Sequence, residues 1–288
     1  MPATPSSLEE RIRAYYLATT EPGYLTAWAG EALGFHFGLA DDDTPSHNES
    51  LLNANRYLAA RAGVGPGARV LDAGCGVGGS ALWLARERGA RVTGITLSPR
   101  QVELARQFAI DRGHAAEVDF HVMSFADTTF PEASFDVVWH IESLCHAADP
   151  RAYLDHARRL LRDGGRFACL DLFLGDGGDP AHARAMCDGW VLPALGAMSG
   201  LDAVLEAAGF AGVEVEDLTA KTARSAARLR GLAQRRLLEI ELRRAAFGDA
   251  DPVYEGHARA AVGAADGLAS GAVRYGYVGA TWAPRRGG

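Results

Sequence analysis

Three groups of residues have the types and the spacing to do chemistry. The first is Val70-Leu71-Asp72-Ala73-Gly74-Cys75-Gly76-Val77-Gly78-Gly79, an apolar run that ends on an acid and passes into closely set glycines. Glycine permits positive φ and close backbone approach, and such a turn ahead of a helix aims amide N–H groups at a ligand. The pattern also serves dinucleotide enzymes and is weak evidence by itself. Asp72 turns the reading, because a carboxylate there repels a pyrophosphate and attracts an ammonium group. The second group is Trp139-His140-Ile141-Glu142-Ser143-Leu144-Cys145-His146, which offers a carboxylate and two imidazoles for proton transfer. The third is amino-terminal: Tyr15, Tyr16, Trp28 and Gly34-Phe35-His36-Phe37-Gly38, rings that suit an apolar or cationic acceptor or that pack as core.

These groups need elements to hold them. Between about residue 68 and residue 173, short β-rich runs alternate with amphipathic helical stretches. Strands are expected at 69–72, 91–97, 118–123, 135–139 and 166–172, with helices at 80–88, from Ser98-Pro99 onward, and at 150–161. That alternation implies βαβ units and a Rossmann-like α/β fold, a mostly parallel sheet of seven strands with helices on both faces. Asp72 and Glu142 then fall at carboxyl ends of strands, where open α/β sheets bind ligands. Residues 8–62 read as mostly helical, an amino-terminal cap over 1–62. Within 63–288, insertions around 176–200 and 222–270 read as a lid, with Trp190 its aromatic over the acceptor. Further elements are a helix at 201–208, a strand at 212–216, a long helix at 222–247 and a last strand at 274–282. No internal repeat is visible, and no disordered tract except at the two ends.

The 288 residues carry 29 basic and 36 acidic side chains, a formal charge of −7. Lys221 is the sole lysine, so arginine here reads as coding bias more than as a basic surface. An acidic balance without a cationic stripe argues against a nucleic-acid partner. No stretch approaches the roughly 18 apolar residues needed to span a bilayer, and the start, Met1 to Ser7, lacks the features of a secretory signal. The four cysteines contain no C-x-x-C, so neither zinc nor disulfides are expected, and Cys75 reads as a small filler. A cytoplasmic setting, a small-molecule partner and room for a homo-oligomer follow as expectations.

The ordered set D-A-G-C-G-V-G-G, G-I-T-L-S-P-R-Q, S-F-D-V-V and L-L-R-D-G-G-R-F resembles the class I S-adenosylmethionine-dependent methyltransferases. The resemblance covers the central hundred or so residues and implies S-adenosylmethionine as cofactor. It places Gly74 and Gly76 against the methionine portion, with Asp72, Thr96, Leu97 and Tyr16 around the cofactor. Thr96 departs from the family's commoner acid. T-L-S-x-x-Q is similar to the cyclopropane-fatty-acid, sterol and tocopherol branches, in which Gln101 would reach the ribose hydroxyls. Ser124 and Phe125 stand where the family has its adenine neighbours, and His140 is expected near the methionine end.

Glu142-Ser143 and Cys145-His146 resemble the E-A-T-C-H stretch of sterol C-methyltransferases, and E-S also occurs in prenyl-diphosphate and sugar methyltransferases. Glu142 is therefore the first expected catalytic group and His146 the second. A similar H-x-G segment implies that Trp28, Phe35, His36 and Phe37 shape the acceptor pocket. C-methylation of an isoprenoid alkene, such as a prenyl diphosphate, is the favoured reaction. The alternatives are O- or N-methylation of a sugar, phenol or alkaloid, and a non-catalytic binding protein on the same fold. If the substrate is a diphosphate, Asp41-Asp42-Asp43 can hold Mg²⁺ and Asn53, Asn55 and Arg56 can meet the phosphates, unless these are a solvated loop and an exposed helix face. No resident metal is expected otherwise.

Overall fold

The computed structural model describes residues 7–25, 27–248 and 251–283. The expected disordered ends fall on the termini outside them. The β-rich runs form strands β1 (Arg69–Ala73), β2 (Arg91–Thr96), β3 (Val118–Val122), β4 (Phe135–Ile141) and β5 (Leu161–Leu174), all mutually parallel. β6 (Phe210–Asp217) and β7 (Val273–Trp282) complete one sheet of seven strands in the order β3-β2-β1-β4-β5-β7-β6. β7 runs antiparallel to both its neighbours. Strand order reverses between β1 and β4, which puts a crevice beyond their carboxyl ends.

β5 begins earlier than its sequence suggests. The Arg162–Gly165 stretch bulges between the pairs Phe135↔Leu161 and Val137↔Arg166, with Gly164 at φ 73 supplying the bend. Helix α1 (Leu8–Thr19) starts at a capping box made by Ser7 and Glu10 and runs into a π-helical turn, Thr20–Leu25. Helix α2 (His47–Ala62) is capped by Ser46. The expectation of a mostly helical amino-terminal region needs correcting between them. Residues 27–46 form turns and extended chain, interrupted by Gly30, Gly34, Gly38 and Pro45.

Helices α3 (Gly79–Arg88) and α4 (Pro99–Asp111) join α2 on one face of the sheet, where Trp139 and Phe120 are buried among them. On the other face α5 (Pro150–Leu160) and α7 (Leu201–Ala207) pack on Leu71, Val138 and Phe167. Both faces are covered, which is why the central strands are apolar on both sides. Three more helices gather beyond the strand ends. α6 (Pro180–Trp190) follows β5, while α8 (Ala223–Phe247) and α9 (Pro252–Ser270) connect β6 to β7. The sequence suggested one long helix in this last insertion; Gly248 at φ 77 ends it, and Asp251 caps a second. α9 packs against α6, α8 and α1. No helix among the described residues is long and apolar enough to cross a membrane.

Candidate active site

The glycine turn lies where β1 hands over to α3. Gly74, Gly76 and Gly78 all have positive φ, 95°, 54° and 85°. A Cβ on Gly74 would stand 2.3 Å from Ser143 Cβ, so the turn and the end of β4 are in direct contact. This cradle forms one side of a cavity of about 810 Å³ counted out to its open mouth, also lined by Asp72, Thr96, Leu97, Gln101 and Phe125. Asp72 is buried, and its Oδ2 has no hydrogen-bond partner. Burial pushes its carboxyl up to about 7, against the pull of the Ala81 backbone N–H. A buried carboxylate oxygen left unmatched beside a glycine cradle is placed to accept from a ligand's donor. The ammonium group of S-adenosylmethionine is such a donor, and these residues fit it.

Ser98 and Pro99 start α4 so that Gln101 faces this cavity from the first turn. The Thr96 hydroxyl donates to Gln101 Oε1 at 2.6 Å, and Gln101 Nε2 donates to Thr20 Oγ1 at 3.1 Å. One N–H of the amide is left for a ligand hydroxyl.

A second cavity, about 1060 Å³ counted out to its open mouth, lies between residues 16–37, the ends of β4 and β5, and helices α6, α8 and α9. Trp28, Phe37, Leu172, Trp190, Leu192 and Leu229 make it largely apolar. Tyr16, Phe35, His36, Glu142 and His146 line both cavities and form their common wall. In that wall the Phe37 N–H donates to Glu142 Oε1 at 2.5 Å. Burial drives the Glu142 carboxyl well above the usual range; the Phe37 N–H opposes this and Asp171 adds to it. The Tyr275 phenol approaches the same carboxyl without reaching hydrogen-bond geometry. His146 Nε2 lies 3.0 Å from the Tyr16 hydroxyl, and burial lowers the imidazole to about 4, so it is neutral at ordinary pH. His36 is likewise lowered to about 4 by burial; its Nδ1–H donates to the Phe37 carbonyl at 2.9 Å, leaving Nε2 unmatched.

A methyltransferase-domain family model matches residues 71–169. A sarcosine/dimethylglycine N-methyltransferase of Halorhodospira halochloris is 31% identical over 81% of this chain and 83% of its own. The chain belongs to the class I S-adenosylmethionine-dependent methyltransferases. A 27-O-demethylrifamycin SV methyltransferase of Amycolatopsis mediterranei is 35% identical over 72% of this chain and 78% of its own. A sterol 24-C-methyltransferase of Eremothecium gossypii is 33% identical over 65% and 52%. Among solved structures, the [4+2]-cyclase SpnF superposes with a TM-score of 0.80 at 26% identity, covering 98% of each chain.

The methyltransferase brings most of the expected residues together and leaves four expectations unmet. Ser124 points out of the cofactor cavity, its hydroxyl donating to Glu9 on α1 at 2.7 Å. His140 lies on the opposite face of β4 from Trp139 and Ile141, because side chains alternate along a strand and Ile141 is the one that faces the cofactor cavity. Tyr153, Phe125 and Phe167 surround it. Arg56 reaches neither cavity; it extends along the outer face of α2 to Glu49 and to Asn53 Oδ1 at 2.8 Å. The aspartate run is also elsewhere: Asp41 pairs with Lys221, Asn53 donates to the Leu39 carbonyl and Asn55 accepts from Ser80. No cluster of three metal-ligating side chains exists among the described residues.

Other contributors went unread in the sequence. Asp171 is buried, and its carboxylate accepts the Cys145 N–H at 3.1 Å and the Leu172 N–H at 2.8 Å, which holds the short 3-10 turn Leu144–His146. Its position near the carboxyl end of β5 was the available signal. Tyr24 on the π-helical turn and His257 on α9 line the larger cavity with no comparable signal.

Proposed function

We propose that this methyltransferase of specialised metabolism methylates a carbon of an unsaturated, isoprenoid-like acceptor held in the larger cavity. The observation that carries the reading is Glu142, a half-buried residue whose carboxyl stands in the wall shared by the two cavities among aromatic side chains. When bound, the cofactor supplies a methyl group on a positively charged sulfur. Asp72 would hold its ammonium end, Gly74 and Gly76 would lie against its methionine portion, and Gln101 would meet a ribose hydroxyl. A methyl added to an alkene leaves a cation on the neighbouring carbon. Tyr16, Phe35 and Trp28 offer electron-rich faces to it. Glu142 then takes a proton from the adjacent carbon, which restores a double bond and neutralises the acceptor. The Phe37 N–H keeps one carboxylate oxygen in place and leaves the other for that proton. A neighbouring positive charge favours the ionised carboxyl against the burial that otherwise protonates it.

A second reading rests on His146, a neutral imidazole in the same wall with Tyr16 at its Nε2. Here it removes the proton of a hydroxyl or amine as the heteroatom is methylated, in keeping with the N- and O-methyltransferases among the relatives. The diphosphate version of the first reading has lost Arg56 and the Asp41–Asp43 run, which lie outside the cavity.

Incubation with S-adenosylmethionine and a panel of terpenes, phenols and amines, with the new methyl located by mass spectrometry and NMR, separates the two. Carbon methylation, lost about 10²-fold or more in Glu142→Gln with cofactor affinity kept, is the expected result. Methyl groups on heteroatoms alone, with Glu142→Gln at full rate and His146→Gln inactive, would establish the second reading.

A further inference from the structure

Besides Tyr16, His36, Glu142 and His146 on the shared wall, and Arg235, Arg236, Glu239 and Tyr254 on α8 and α9, the larger cavity carries one internal polar chain that joins its amino-terminal side to α9. The Tyr24 hydroxyl lies 3.0 Å from the Tyr15 hydroxyl, which lies 2.7 Å from His257 Nδ1. Tyr24 and His257 both line the cavity, their rings 5.2 Å apart, whereas Tyr15 is buried behind them. Burial, with Arg236 adding a like charge, lowers His257 to about 4, so the imidazole is neutral and has a single N–H.

Counting protons fixes what this chain can offer a ligand. Three hydrogens, two on phenols and one on the imidazole, serve two internal hydrogen bonds. In one arrangement Tyr24 donates to Tyr15, Tyr15 donates to His257 Nδ1, and His257 Nε2–H is the free donor while the Tyr24 oxygen is the free acceptor. Reversing every bond makes Tyr24 the free donor and His257 Nε2 the free acceptor. Either way the two cavity-facing ends present one donor and one acceptor. A hydroxyl satisfies both, a carbonyl satisfies one, and a hydrocarbon leaves both unmet, which buried polar groups tolerate poorly.

We infer that Tyr24 and His257 form a hydroxyl-recognition site, so that the acceptor is an apolar skeleton bearing an alcohol that these two residues grip. This deepens the acceptor reading above and rests on the larger cavity being the acceptor's. The site is a specificity determinant whichever atom is methylated. Of the two arginines that line the cavity, Arg235 and Arg236, the second is held by Glu239 and lies 4.9 Å over the Tyr254 ring.

Trp28 and Trp190 line the cavity, so binding can be followed by tryptophan fluorescence with S-adenosylhomocysteine at saturation. The probes are matched pairs, farnesol with farnesene and cyclododecanol with cyclododecane, plus farnesyl diphosphate. The alcohol of a pair is expected to bind about tenfold tighter than its hydrocarbon. In Tyr24→Phe and His257→Phe that ratio is expected to collapse to within about twofold. In the unmutated protein, ¹⁵N resonances of the His257 ring should move with the alcohol and not with the hydrocarbon, which keeps the test independent of any folding defect. Equal binding within every pair, no binding of any probe, ratios untouched by both substitutions, or tighter binding of the diphosphate than of farnesol would each overturn the assignment. Methyl transfer is read separately by mass spectrometry. Alcohol preference without transfer to any acceptor leaves the site standing and removes the methylation reading, and transfer without preference does the reverse.

Discussion

The Phe37 backbone N–H meets Glu142 Oε1 at 2.5 Å across 105 residues of sequence. This bond joins the irregular amino-terminal segment to the end of β4, and it closes the wall that separates the two cavities. Glu142 has φ 50, a left-handed conformation that costs a non-glycine residue about 1–2 kcal/mol. Two partners hold it there. Its N–H donates to the Leu170 carbonyl at 2.8 Å, and its side chain is gripped by Phe37. The strain therefore sits on the residue to which the chemistry is assigned, as it often does at functional sites.

Asp72 gives a pH test of the cofactor site. Burial raises its carboxyl to about 7 in the free protein. The ionised form is the one that attracts an ammonium group, so affinity for S-adenosylhomocysteine should rise between about pH 6 and pH 8. The contribution to folding has the opposite sign. A raised carboxyl favours the folded protein while protonated, and that stability is lost as pH climbs from about 4 through about 7. Calorimetry on Asp72→Asn should show binding weakened about 10- to 100-fold and little changed across this range. Affinity independent of pH in the unmutated protein would count against an ammonium partner.

Gly74 gives a steric test. An alanine there would have its Cβ 2.3 Å from Ser143 Cβ and would sit at φ 95. Both penalties act together, so Gly74→Ala should lose more than about 2 kcal/mol of stability and several degrees of melting temperature. Adding Ser143→Gly restores space without relieving φ, so the pair should recover part of the loss. A single variant that melts like the parent, or a pair that recovers nothing, would show that the glycine is not there to let Ser143 approach.

How far the sequence could lead is visible in which of its residues the structure brings to the cavities. Asp72, Gly74 and Gln101 sit in local strand–turn–helix chemistry, where glycine φ, an N-cap serine and a first-turn proline define geometry within a few residues. His140 was misplaced by a single step of strand alternation, which depends on which face β4 turns to the crevice. The Tyr15–His257 contact spans 242 residues and arises only when α9 packs on α1, so no local pattern encodes it. Arg56 is the instructive middle case. Its helix is readable, but which side faces the cavity depends on how α2 docks. Arg56→Ala should leave acceptor affinity and turnover within about twofold of the parent and cost under about 1 kcal/mol, the worth of an exposed ion pair. A tenfold loss of acceptor affinity would return Arg56 to the site.

His140 offers the sharpest division between a positioning and a catalytic role. It is fully buried, and burial lowers it to about 3, so it is neutral. Its Nδ1 lies 2.7 Å from Ser143 Oγ, its Nε2 lies 2.5 Å from the Tyr153 hydroxyl, and Ser143 Oγ donates to the Ala73 carbonyl at 2.5 Å. Since the serine hydrogen is committed to Ala73, the bonds run one way: Tyr153 donates to Nε2, and Nδ1–H donates to Ser143. The chain thus ends on the residue that leads into the glycine turn. Tyr153→Phe leaves the ring in place and strips Nε2 of its donor, which should cost about 1–3 kcal/mol. Urea unfolding at pH 7 measures that loss. The depressed imidazole adds a pH signature, because its contribution to stability is present above about 6.5 and is lost as pH falls toward 3. If His140 only positions the turn, stability should drop in Tyr153→Phe and cofactor affinity should weaken modestly, while the turnover number of the saturated enzyme stays within about threefold. Unchanged stability with a collapsed turnover number would instead put His140 in the chemistry, against the face on which β4 holds it.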